Sequence, residues 1–118
     1  MAATLKHHPV SRNSAVVVIA GRLDVRGCEL IEDTLWDIFE GYPGNNIVLD
    51  LTNVDYLSSY AVGFLVEACG TVTEMGGRMS ISGPQPQVYE TLYLNGADMV
   101  IPIYDSYRTA LADDQILY

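Results

Sequence analysis

The chain is short of positive charge, histidine, cysteine and long apolar runs, and each shortage removes a class of function. Six lysines and arginines stand against fifteen aspartates and glutamates, a formal net charge of -9 over 118 residues. Such a surface repels phosphate backbones and anionic lipid heads, so no nucleic acid is expected as a ligand; a partner with a basic contact patch is its natural complement. No apolar run approaches the roughly 20 residues of a membrane span. The opening Met1-Ala-Ala-Thr-Leu-Lys-His-His-Pro has no apolar core that would serve as a secretory signal. A cytoplasmic protein is the expectation. His7 and His8 are the two imidazoles. Neighbours in a strand point to opposite faces, and no cysteine or carboxylate cluster lies near them, so neither a metal nor another cofactor is expected. Cys28 and Cys69 lie far apart, each on the apolar stripe of a predicted helix, and read as small core residues in a reducing compartment. There is no Gly-x-Gly-x-x-Gly, no phosphate-cradling loop ending in Lys-Ser/Thr, and no base visible beside a serine. Asp50 and Asp55 read as capping or solvated acids. Catalysis is not expected.

What is present is a 49% hydrophobic chain long enough to bury a core, read as a single domain over residues 1–118. Residues 5–10 predict an edge strand, with Pro9 unable to donate to a ladder. Ala-Val-Val-Val-Ile-Ala within residues 14–20 predicts a central strand that stops at Gly21. Asp24 is the expected N-cap of a helix over residues 25–40, with Cys28, Ile31, Leu35 and Ile38 on one face and Leu30 and Phe39 broadening it. Glu29, Glu32, Asp33, Asp37 and Glu40 line its solvated side. Turn formers fill residues 41–45, Gly-Tyr-Pro-Gly-Asn.

Residues 47–65 organise the rest. Ile47-Val48-Leu49 with Leu51 is a β-branched apolar run suited to a strand buried on both faces. Thr52, Asn53, Asp55, Ser58 and Ser59 then predict a polar loop, and Ala61, Val62, Leu65, Ala68, Cys69 and Val72 recur at helical spacing over residues 59–75. Ser58 or Ser59 therefore stands at a helix start, beside unpaired amides and the positive end of the helix dipole. Either one caps the helix; no Glu or Gln three residues on completes a capping box. Past Gly76-Gly77 come a strand at residues 78–82, a helix at 86–94 opened by Pro86 with Val88 and Leu92 inward, and a strand at 99–103 near an edge. A helix capped by Asp105-Ser106 follows; the tail, residues 113–118, has no clear pattern. Alternating strands and helices predict an α/β fold, a mixed four- to five-stranded sheet covered by about four helices.

The stretch Leu49-Asp50-Leu51-Thr52, Val54, Tyr56-Leu57, Ser59, Gly63 and Leu65 resembles the signature of the STAS domain, the module shared by sulfate transporters and bacterial anti-sigma-factor antagonists. Gly21-Arg22-Leu23-Asp24, Gly76-Gly77-Arg78, Ser82-Gly83 and Leu94-Asn95-Gly96 extend the likeness over nearly the whole chain. The resemblance implies a non-enzymatic regulator. By position, Ser59 matches the serine that a partner kinase phosphorylates. Asp24, Asp55, Ser58, Ser59, Tyr60 and Val62 are the implied partner-binding residues, an anti-sigma factor with serine kinase activity the partner, and a cognate phosphatase the enzyme that resets it. Three positions depart from the pattern: Ser58 replaces the usual Asp, Tyr60 the usual Ser or Thr, and Ala61 the usual Gly. Ser58 is accordingly a second candidate acceptor. Two other readings stand beside the switch: a constitutive STAS adaptor subunit, as in lipid-transport ABC systems or stress-sensing assemblies, and a small-ligand pocket around Asp24 and Ser58.

Overall fold

The computed structural model describes residues 1–42 and 44–116. Pro43, in the expected turn, and Leu117 and Tyr118 of the tail lie outside the described residues. The chain runs β1 (Thr4–Ser11), β2 (Ser14–Leu23), α1 (Val25–Gly41), β3 (Asn46–Leu57), α2 (Ser59–Glu74), β4 (Arg78–Ser82), α3 (Pro86–Leu94), a 3₁₀ turn (Ala97–Met99), β5 (Ile103–Tyr104) and α4 (Tyr107–Ile116). The strands form one sheet in sequence order, β1 antiparallel to β2 and the others parallel. This mixed five-stranded sheet with four α-helices, counted among the described residues, is the expected architecture.

Crossovers between neighbouring parallel strands carry α1, α2 and α3, whose buried residues share one core on one face of the sheet. Strand residues of one parity, Val17, Ile19, Ile47, Leu49, Met79 and Ile81, point into that layer and meet Leu35, Leu65 and Leu92 of the helices. Fully burying one such side chain contributes about 1.5–3 kcal/mol. On the opposite parity Val16 and Val48 pack against Ala110 of α4 in a smaller cluster, beside the buried polar residues Asn46, Asp50, Ser80 and Ser82. The α2 stripe is buried throughout, as its periodicity predicts, and both cysteines are buried free thiols. Leu30, expected to broaden the α1 face, is instead 47% exposed, because at about 3.6 residues per turn it falls off the stripe of Cys28, Ile31 and Leu35.

Three boundaries differ from the expectation. β2 does not stop at Gly21, and the polar stretch Thr52 to Leu57 is strand rather than loop. Each extension supplies the other's ladder: Ala20 pairs with Asn53, Gly21 with Val54, Arg22 with Tyr56 and Leu23 with Leu57, with register shifts on either side of Gly21. Gly21 bends the strand at φ 95°, where an added Cβ would also strike the Ala2 carbonyl. Every third residue of the extension, Leu51, Val54 and Leu57, is buried, which fixes it against the core. The last strand begins at Ile103 rather than residue 99. Ile101 is fully buried while Met99 is 86% exposed, and Pro102 has no amide to give to a ladder.

Candidate functional site

Because β2 and β3 end level with one another, α1 and α2 begin side by side at the same end of the sheet. The Ser58 amide donates to the Leu23 carbonyl at 3.0 Å and ties the two strand ends together. Asp24 caps α1: its Oδ1 accepts from the Gly27 amide at 2.9 Å, and its Oδ2 accepts from Arg22 Nε at 2.9 Å. The Gly27 amide, and then Arg22, hold this carboxyl below the usual aspartate value. Gly27 is required where it stands, since a Cβ there would collide with the Arg22 carbonyl.

Ser58 caps α2, its Oγ accepting from the Ala61 amide at 3.1 Å. This settles which of the two adjacent serines does the capping. The Ser58 hydroxyl is committed and its residue half-buried; Ser59, the first helical residue, is exposed, and its hydroxyl forms no hydrogen bond with any described residue. No acidic residue occupies the first turn of either α1 or α2. The helix dipole therefore meets Ser59 without a compensating side-chain charge.

The other implied contact residues divide. Tyr60 is 55% exposed, Asp55 is exposed and Asp24 is partly so, all at this end of the molecule. Val62 is different: at 3% exposure it belongs to the core and offers a partner no surface. Two residues that fit the family likeness but were given no contact role join the site. The Arg22 guanidinium lies 3.9 Å from the centroid of the Tyr56 ring, a cation–π contact, while also paired with Asp24. Their contact follows from the Arg22–Tyr56 strand register, which becomes visible once residues 52–57 are read as strand. Behind them, buried Asp50 accepts from Thr52 Oγ1 at 2.7 Å and Ser82 Oγ at 3.1 Å, locking β3 to β4 beneath the site.

This end thus presents an accessible hydroxyl at a helix start, with an exposed tyrosine on each side of it in sequence and no imidazole among its residues. A protein-family model matches residues 5–110, the STAS domain. The chain belongs to the STAS family. Among curated proteins, this STAS domain is 24% identical over 113 residues to the anti-sigma F factor antagonist of Paenibacillus polymyxa, covering 96% of this chain and 94% of that one. Its fold matches the crystal structure of an anti-sigma factor antagonist from Mycobacterium paratuberculosis with a TM-score of 0.84 at 20% identity, over 95% and 93% of the two chains. It also matches the antagonist SpoIIAA, in its unphosphorylated form (TM-score 0.74, 16% identity, 95% and 96% covered) and, from Bacillus, in its phosphorylated form (TM-score 0.68, 16% identity, 96% and 99% covered). None of the helices among the described residues is long and apolar enough to cross a membrane.

Proposed function

We propose that this STAS domain is a cytoplasmic anti-sigma-factor antagonist switched at Ser59, a regulator rather than a catalyst. Unmodified, the end carrying Asp24, Asp55, Tyr56, Ser59 and Tyr60 docks on an anti-sigma factor that is also a serine kinase. The kinase brings the nucleotide and the base: Ser59 Oγ attacks the γ-phosphorus, its proton goes to the kinase base, and ADP leaves. A phosphatase restores the hydroxyl.

The observation that carries this reading is the division of labour between two adjacent serines. Ser58 spends its hydroxyl on the cap, and Ser59 keeps its own exposed and unbonded. A phosphoryl group on Ser59 adds about -1.5 to -2 units of charge at the helix end, where amides tolerate it but a closely packed partner must accommodate it. The fold survives and the complex weakens. The departures from the family pattern fit this division. Ser at position 58 performs the capping that Asp also performs well, so the helix start is preserved. Tyr60 at 55% exposure supplies an aromatic anchor of the kind that dominates many interfaces.

The test is incubation with ATP and the anti-sigma-factor kinases of the source cell, followed by peptide mass spectrometry. One phosphate on Ser59 supports the reading. Phosphate on Ser58 would reassign the acceptor, and stable co-purification with a transporter ATPase irrespective of phosphorylation would replace the switch with a constitutive adaptor.

A further inference from the structure

Helix α3 carries apolar side chains on two sides. Val88 and Leu92 face the core at 1% and 0% exposure, whereas Tyr89, Tyr93 and Leu94 stand outward at 43%, 57% and 70%. The chain then turns through Gly96 at φ 76°, and the following 3₁₀ turn leaves Met99 and Val100 at 86% and 56% exposure. Tyr93, Leu94, Met99 and Val100 thus fall within eight consecutive residues. The Gly96 amide donates to the Tyr93 carbonyl at 3.0 Å and the Met99 amide to the Gly96 carbonyl at 3.2 Å, bringing the end of α3 beside the 3₁₀ turn. Single exposed apolar residues are ordinary on a folded surface; a contiguous group of large ones marks a place where something binds.

The patch lies away from Ser59. Helices α2 and α3 both start at the end of the sheet where the parallel strands finish, and both run back from it. Leu94 and the turn after it therefore sit at the opposite end. Its charge surroundings indicate what fits. Between Arg78 and Arg108 the chain carries Glu90, Asp98 and Asp105 and no lysine or arginine. Glu90 and Asp98 are both exposed, the first just before the patch in sequence and the second within it, beside Met99. A second copy would set these acids against its own, on top of the net charge of -9 that each copy carries. An anionic bilayer would be repelled for the same reason.

We infer that Tyr93, Leu94, Met99 and Val100 form a second docking surface, at the far end from Ser59, for a protein segment with an apolar centre and a lysine- or arginine-rich rim. This goes beyond the Ser59 switch and does not depend on it. The partner held here stays bound whether or not Ser59 is modified, so the domain can be tethered while its other end exchanges partners.

The probe is a synthetic amphipathic helix with a leucine stripe flanked by lysines, compared with the same stripe flanked by glutamates. Binding is followed by fluorescence anisotropy and mapped by amide chemical shifts. The lysine peptide should perturb residues 93–100, bind roughly tenfold more weakly to the Leu94→Ser/Met99→Ser double variant, and bind Ser59→Asp as it binds wild type. The glutamate peptide should bind none of them. Both substituted side chains are exposed, so thermal melting should confirm that the double variant folds normally. The proposal is overturned if the perturbations map to the acidic side of α1, or if the double variant binds like wild type. It is equally overturned if sedimentation shows self-association that the double variant abolishes, or if the patch proves to carry the protein onto phosphatidylcholine vesicles.

Discussion

Replacing each of the two adjacent serines by alanine separates their roles without any partner. Ser58→Ala removes the acceptor that holds the Ala61 amide at 3.1 Å, and the orphaned amide sits at a partly buried helix start. Loss of a serine N-cap costs about 1 kcal/mol, within a range of roughly 0.5–2. For a chain of 118 residues that corresponds to a melting temperature lower by about 3–5 °C. Ser58→Asp retains an acceptor and adds a charge that the dipole favours, so it should melt close to wild type. Ser59→Ala deletes an exposed hydroxyl without a side-chain partner and installs a better helix former; its stability should stay within about 0.5 kcal/mol of wild type. Phosphate on Ser59 should raise stability by about 0.3–1 kcal/mol at low ionic strength and by less as salt screens the helix end. Thermal melts followed by circular dichroism, at low and high salt, resolve all four proteins. The reasoning is refuted if Ser59→Ala loses as much as Ser58→Ala, or if Ser58→Ala is silent.

Further outcomes are expected elsewhere in the chain. Asp24→Ala should destabilise the protein at neutral pH. The folded-state pKa of Asp24 lies below its ordinary value of 3.8, so its stabilising contribution is complete above that value and disappears as pH falls through the lower folded-state value. Melting curves of the two proteins should therefore converge only in that acid window, and a constant gap down to lower pH would contradict the assignment. Gly27→Ala drives a methyl group into the Arg22 carbonyl and should cost about 1–3 kcal/mol in urea unfolding, against the usual benefit of alanine in a helix. Burial pushes the Cys28 thiol up to about 11, with Asp24 and Glu32 adding to the shift. An alkylating reagent at pH 8 should therefore label Cys28 only as fast as the protein opens. Labelling at the rate of an exposed thiol would show that α1 is not packed as described.

Local pattern carried most of the architecture. β2, α1 and α2 were legible because their apolar periodicities are long and strong, and Asp24 was legible as a cap because the helix start is encoded beside it. The end of β3 was not. Thr52, Asn53 and Asp55 have turn chemistry, and the stretch is held as strand because Asn53, Val54, Tyr56 and Leu57 pair with residues some thirty positions earlier, information that no local window contains. The Arg22–Tyr56 contact was missed for the same reason. Met99 shows the converse: apolar composition suggested a strand, whereas tertiary packing buries Ile101 and leaves Met99 in solvent. Within the candidate site, motif resemblance located the helix start but could not assign the two serines, since either side chain could reach the amides. Val62 followed the motif into the contact set although its helical stripe already placed it inward.

The central claim is that charge placed on Ser59 governs docking at this end of the sheet. The direct measurement is calorimetric titration of an anti-sigma-factor kinase from the source cell with unmodified protein and with protein carrying stoichiometric phosphate on Ser59. The account predicts tight binding of the first, loss of at least about 10-fold in affinity for the second, and recovery after phosphatase treatment. Equal affinity of the two forms would contradict it.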